Sequence, residues 1–292
     1  MSESERLRAR PEAAGGGAMR ERVGEAGAIL AGAVRDHQPA YVFALLSGGH
    51  DSLATTWLAS QHPQFSGVVH IDTGTGIPET RKFVRRVCRY YDWPLFVVRT
   101  NEDYRTLVLA HGFPGPALHQ KMYQRLKDRG INAIQREFTR PKGQAIMYVS
   151  GIRRQESVKR MGYSQPVQVY RAQRWVNPLF DWSAYDVAAY CREHRLPRNP
   201  VKERLEMSGE CLCGAYAKKG ELALIEAFYP WTGRRLRRLE AEVHAAGFPW
   251  GWEEKPPAWF GEVKRGQRMH EAFTPLCSSC NWREQAEKDG AA

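Results

Sequence analysis

Four short apolar runs punctuate the first half of the chain, at residues 41–46, 67–71, 94–98 and 144–150. Each is too short for a helix and is bounded by Gly, Pro or polar turn residues, a pattern that predicts buried strands. Between and after them apolar residues recur at helical spacing. Val23, Ile29, Leu30 and Val34 mark a helix over 20–36, and others are predicted at 53–60, 78–91, 184–194 and 221–228. Pro78 suits the first turn of its helix, with Glu79 facing the positive end of the dipole. Ser183 followed by Asp186 has the form of a capping box, and Pro197 and Pro200 stop the helix that follows. Trp175, Leu179, Phe180 and Trp182 are read as core. Strands alternating with helices predict an α/β fold, a doubly wound parallel sheet of Rossmann-like type with ligands at the strands' carboxyl ends.

Two stretches fall outside this alternation. Residues 1–19 are rich in Glu, Arg, Ala and Gly and have little to bury, so a disordered leader is expected there, with Met19 as an alternative start. Residues 100–140 are predicted to be a mostly helical insertion. Lys121, Arg125 and Arg129 fall at helical spacing on it, which fits either a solvated cationic face or a substrate contact.

The chain has 292 residues and a formal net charge of +11. With 42% hydrophobic residues it can bury a sizeable core. It has neither an apolar run of membrane-spanning length nor a signal-peptide core. The expectation is therefore a cytoplasmic protein without a membrane partner, whose six cysteines are thiols or metal ligands. The positive charge suits a nucleic acid and also a small polyanion such as a nucleotide; it favours nucleic acid only modestly and does not decide between them.

The chemistry starts where the first apolar run ends, at Ser47-Gly48-Gly49-His50-Asp51-Ser52 ahead of a helix. Strand, glycine loop and helix N-terminus together bind phosphate, because backbone N–H groups converge on the anion and the helix end adds partial positive charge. Ser47 and Ser52 add hydroxyls, and Asp51 is placed to hold a metal ion riding on the phosphates. No lysine closes the loop, so it is not a Walker A loop, and the Gly-x-Gly-x-x-Gly dinucleotide fingerprint is also absent. The run 144–150 likewise ends in Gly151-Ile152-Arg153-Arg154, whose guanidinium forks match phosphate.

These segments resemble, in order, motifs of the phosphoadenosine phosphosulfate (PAPS) reductase-like family within the PP-loop ATP pyrophosphatase, or adenine nucleotide alpha-hydrolase, superfamily. Ser47–Ser52 resembles its Ser-Gly-Gly-x-Asp-Ser signature. Asp72-Thr73-Gly74 with Pro78-Glu79-Thr80 is similar to its Asp-Thr-Gly…Phe-Pro-Glu-Thr segment. Gly151 to Ser157 resembles Gly-x-Arg-x-x-Glu-Ser, and Pro178 to Trp182 resembles Pro-Leu-x-x-Trp. The resemblance covers roughly residues 41–199 and implies a nucleotide-binding domain over 20–200. It implies ATP, or a PAPS-like adenine nucleotide, held by Ser47, Gly48, Gly49, His50, Asp51, Ser52, Asp72, Thr73, Gly74, Gly151, Arg153 and Arg154. Asp51 and Arg153 are its expected catalytic residues, with Mg²⁺ as the nucleotide's counter-ion; Glu156 belongs to the same matched segment as Arg153 and Arg154.

Residues 201–292 are expected to form a helical, cysteine-bearing C-terminal part. Cys211 and Cys213 sit in a glycine-flanked turn, and Cys277 and Cys280 have Cys-x-x-Cys spacing. Two close pairs supply four thiolates, the donor set of zinc or of a 4Fe-4S cluster. A redox pair at Cys277/Cys280 and four unrelated thiols are the alternatives. Cys88 and Cys191 lie within helical patterns and are read as buried apolar residues. Within this part run the basic stretch 234–238 and a segment carrying Trp250, Trp252 and Trp259.

Assimilatory sulfonucleotide reductases attack sulfate with the cysteine of a Glu-Cys-Gly-x-His motif, which this sequence lacks; Cys280 is followed by Asn-Trp-Arg. The sulfur-inserting branch of the superfamily, tRNA thiolation enzymes and the DndC-like component of DNA phosphorothioation systems, fits the charge and the four cysteines better. The resemblance thus implies adenylation of an acceptor and sulfur transfer to a nucleic acid (tRNA or DNA) or nucleotide, with a cysteine desulfurase or other sulfur donor as partner. The alternatives are a sulfonucleotide reductase or sulfotransferase of altered mechanism, and a non-catalytic, zinc-stabilised nucleotide-binding module.

Overall fold

The computed structural model describes residues 16–99, 103–139, 144–156 and 165–257. Cys277, Cys280, Ser157 and Trp259 lie outside the described residues.

The chain opens with helix α1 (Gly16–His37), β1 (Tyr41–Leu45), α2 (His50–Ser60), β2 (Phe65–Asp72), α3 (Pro78–Tyr90) and β3 (Leu95–Arg99). The helix α1 begins at Gly16, so the expected leader is corrected over its last four residues. Met19 packs against the apolar cluster that holds Leu30 and Val34, and that burial extends the helix back through the glycines. The insertion is helical, as α4 (Tyr104–His111), α5 (His119–Tyr123), a π-helical turn (Gln124–Asp128) and α6 (Arg129–Phe138). After β4 (Ile146–Val149) come β5 (Val167–Tyr170) and β6 (Gln173–Val176), which the apolar runs did not predict. They are four residues each, and β5 is only partly covered, so no continuous apolar run marks them. The helices α7 (Ala184–Glu193), α8 (Pro200–Leu205), α9 (Glu221–Phe228) and α10 (Pro230–Ala245) complete the described chain.

The six strands form one sheet in the order β3-β2-β1-β4-β6-β5. All neighbours are parallel except β5 and β6, so the expected parallel sheet carries one antiparallel edge. Both faces of the centre are buried, with alternate residues in different layers. Val42, Ala44, Met147 and Val149 pack with α1, α2 and α7, while Phe43, Leu45, Ile146 and Tyr148 pack with α6. From β1 the chain winds outward to β2 and β3, then returns to place β4 on the other side of β1. The carboxyl ends of β1 and β4 therefore flank the crevice where strand order reverses.

A second apolar cluster joins α4 and the π-helical turn to the C-terminal part, through Phe113, Leu126, Leu212, Ile225, Leu236, Trp250 and Trp252. The indoles are pinned as well as buried: Trp250 Nε1 donates to the Phe113 carbonyl and Trp252 Nε1 to the Leu212 carbonyl, each at 2.9 Å. No helix among the described residues is long and apolar enough to cross a membrane.

Candidate nucleotide and thiol site

The loop after β1 is held open from within. Ser52 Oγ donates to the Gly49 carbonyl at 2.9 Å, and the Ser47 and Ser52 hydroxyls lie 3.1 Å apart. Gly48 takes φ +90°, and a Cβ there would come within 2.8 Å of Thr80 Cγ2. Gly49 is the N-cap of α2, and no side chain caps that end, so its free N–H groups are left for an anion.

The loop after β4 packs directly onto this one. A Cβ on Gly151 would stand 2.6 Å from the Asp51 carbonyl carbon and 2.7 Å from the Ser52 nitrogen, so only glycine permits the approach. Next along, Arg153 donates from Nε to Asp51 Oδ1 at 2.5 Å and from a terminal nitrogen to the Trp182 carbonyl at 3.3 Å. Arg154 is not brought to the site: it pairs with Asp181 at 2.9 Å and lies over the Phe180 ring. His50 Nε2 meets Glu203 Oε1 at 2.9 Å.

These loops line a cavity of about 540 Å³, with Ser47, Gly49, Asp51, Ser52, Gly151 and Arg153 on one side and Cys211 and Cys213 among the residues facing them. The thiols are there because the Asp72-Thr73-Gly74 loop holds their segment. Thr73 Oγ1 donates to the Glu210 carbonyl at 2.9 Å, Leu212 N–H donates to Thr75 Oγ1 at 2.9 Å, and Ile77 N–H donates to the Gly209 carbonyl at 2.7 Å. Asp72 itself turns to a neighbouring smaller cavity and pairs with Arg81 at 2.6 Å. Burial pushes the Asp72 carboxyl up, but the Gly74 N–H and Arg81 outweigh it and hold it below the usual value.

Cys211 is the unusual thiol. A hydrogen bond with the Cys213 thiol favours the thiolate; burial and Glu210 oppose it, while the Lys127 ammonium and Thr75 hydroxyl assist it. The net effect brings Cys211 down to about 7. Burial alone carries Cys88 the other way, up to about 12, and Cys191 is likewise pushed up to about 12, chiefly by burial. Two adjacent thiols, one of them favoured as thiolate, fit half of a four-thiolate zinc or 4Fe-4S donor set. Among the described residues no group of three or more His, Cys, Asp or Glu gathers at one point.

Periodicity missed two residues. Lys127 lies in the π-helical turn, reaches the cavity wall, and pairs with Glu210 at 2.8 Å, the two side chains keeping 9% and 6% exposure. Lys127 stands two residues from both Arg125 and Arg129, so the expected face of Lys121, Arg125 and Arg129 does not include it. Asn199 is the other. It caps α8 through Oδ1, and its Nδ2 donates to the Gly48 carbonyl at 3.0 Å.

Comparison with known proteins places this geometry in a lineage. An uncharacterized protein of Methanocaldococcus jannaschii is 27% identical over 226 residues, covering 72% of this chain and 51% of that one. A phosphoadenosine 5'-phosphosulfate reductase of Alkalilimnicola ehrlichii is 27% identical over 173 residues, covering 56% of this chain and 65% of the relative. The chain thus spans about half to two thirds of the length of these relatives. Among solved structures, a U34-tRNA thiolase of Methanococcus maripaludis with its 4Fe-4S cluster superposes at TM-score 0.43 and 14% identity, covering 84% of this chain and 89% of that one. The family model for the phosphoadenosine phosphosulfate reductase domain matches residues 41–205, more than half of the chain, and the protein belongs to that family.

Proposed function

We propose that the cavity binds ATP, or a related adenine nucleotide, with its phosphates on residues 47–52, and that the chain adenylates an acceptor and exchanges the activated oxygen for sulfur. One observation carries this reading: the phosphate loop and the Cys211/Cys213 thiols line the same cavity. An acceptor oxygen attacks the α-phosphorus and pyrophosphate leaves with the electrons of the broken bond. A sulfide-level nucleophile, delivered by a cysteine desulfurase or other donor, then displaces AMP from the acceptor. Arg153 fixes the Asp51 carboxylate, and Asp51 would hold Mg²⁺, whose charge offsets the charge developing on the leaving pyrophosphate. Cys211 and Cys213, with Cys277 and Cys280, would hold a 4Fe-4S cluster or zinc. A bound cluster would supply an electrophilic iron able to hold sulfur, whereas zinc would clamp the fold.

The positive net charge favours a nucleic acid as the acceptor class, tRNA or DNA. Pyrophosphate exchange into ATP that depends on added acceptor tests the adenylation, and its absence with every nucleic-acid acceptor would sink it. Metal analysis of protein purified without air tests the cysteines: about four irons and four sulfides per chain support a cluster, and about one zinc supports a clamp. The relatives named as PAPS reductases favour a second reading, reduction of a sulfonucleotide by an altered mechanism, for which sulfite release from PAPS is the assay.

A further inference from the structure

Beside the nucleotide cavity lies a second one, of about 200 Å³, walled by Arg81, Arg99 and Arg235 against Asp72 and Glu210. Glu210 lines both cavities, so they share a wall. Its own charge is met by Lys127 on the nucleotide side. Arg235 donates to the carbonyls of Gly74, Thr75 and Gly76, which fixes its guanidinium 5.3 Å from the centre of the Trp231 ring. Trp231 nevertheless keeps 59% exposure, which leaves indole surface open to a ligand.

The helix α10 continues the pattern. Trp231, Arg234, Arg235 and Arg238 follow one another at spacings of three, one and three, which puts them on one face. Among the described residues no carboxylate stands within 4.0 Å of Arg99, Arg234 or Arg238. Arg237, on another face, is neutralised by Glu226 and Glu240. An exposed aromatic ring flanked by guanidiniums that meet no carboxylate within 4.0 Å among the described residues has the composition of a stacking platform for a nucleic-acid strand.

We propose that this face of α10, with the guanidinium-walled cavity beside it, holds a single-stranded nucleic acid, one base stacked on Trp231 and adjacent phosphates on Arg99, Arg234 and Arg238. The strand would thereby be led toward the wall shared with the nucleotide cavity. This deepens the proposed function and rests on its choice of a nucleic-acid acceptor. Trp231, Arg234 and Arg238 lie on α10, beyond residues 41–205 of the family match, whereas Arg99 lies on β3 within it.

The test is fluorescence anisotropy of a short labelled single-stranded oligonucleotide with the full chain, without ATP, over a salt series. Trp231→Ala is expected to weaken binding about tenfold or more. The double variant Arg234→Ala/Arg238→Ala should flatten the dependence of log K on log salt by about 1.4. Arg237→Ala should change neither, and unfolding midpoints check that all variants fold. If the wild type binds and the first two variants bind as it does, this surface is overturned while the proposed function stands. If the wild type binds no oligonucleotide yet exchanges pyrophosphate with a small acceptor, the surface and the nucleic-acid acceptor fall together and adenylation survives. Displacement by inorganic phosphate alone, with Trp231→Ala silent, would reduce the site to an anion pocket and overturn the stacking role.

Discussion

Arg153 donates from Nε to Asp51 Oδ1 at 2.5 Å, tying the loop after β4 to the loop after β1 across the reversal of strand order. The Arg153 side chain keeps 9% exposure and that of Asp51 27%, so the pair is set in the cavity wall rather than on the surface. The contact makes Asp51 both a structural partner and a candidate metal holder, and the two roles separate by substitution.

Asp51→Asn keeps an oxygen acceptor for Arg153 but removes the charge. Acceptor-dependent pyrophosphate exchange is expected to fall about a hundredfold or more, with little change in the urea midpoint. Asp51→Ala strands the buried guanidinium as well. It should cost about 3 kcal/mol, the low end for a broken buried pair, because Asp51 remains partly solvated. Near-normal exchange in Asp51→Asn would remove the assigned role.

Gly151→Ala introduces a methyl against the Asp51 and Ser52 backbone, which cannot turn aside as a side chain can. Overpacking of about 1–3 kcal/mol is expected, and the displaced phosphate loop should bind ATP at least tenfold more weakly by isothermal titration. Unchanged affinity would show that the two loops do not act as one cradle.

Asn199 serves α8 and the phosphate loop at once, from a side chain buried to 1% exposure. Asn199→Ala should cost about 2–3 kcal/mol in chemical denaturation, from a lost cap and a buried carbonyl left unpaired. Asn199→Asp keeps the cap but presents an oxygen to the Gly48 carbonyl. It is expected to recover about half of that stability without recovering nucleotide affinity, and recovery of both would assign Asn199 to capping alone.

In metal-free protein Cys211 should alkylate with a pH midpoint near the value of about 7 that its surroundings set, while Cys88 and Cys191, pushed up to about 12, stay inert. The linkage has a definite sign. A thiol whose folded value is lowered from 9.0 stabilises the fold fully above 9.0, and that stability fades as pH falls toward about 7. The urea midpoint of wild type relative to Cys211→Ser should therefore drop between those limits; a flat difference would contradict the thiolate assignment.

Much of the fold was legible because it is written locally. The strand at residues 41–46, the glycine loop after it, the capping box of Ser183 and Asp186, and the helix over 221–228 each depend on neighbours a few residues apart. The two short strands β5 and β6 were not: β5 is only partly covered, and buried β6 opens with the polar pair Gln173 and Arg174, so neither leaves an apolar run to read.

The sequence by itself determined that a glycine loop follows a buried strand and opens a helix, because backbone freedom and amide direction are properties of a few adjacent residues. Only the tertiary structure decided what that loop faces. Thr73 holds the Glu210 carbonyl 137 residues away, Lys127 pairs with Glu210 across 83, and Asn199 reaches Gly48 across 151. It also turned Asp72 and Arg154 away from the nucleotide cavity toward Arg81 and Asp181. Local spacing carries no information about such partners. They are chosen by which sheet edges and helix faces must close against one another to bury the core.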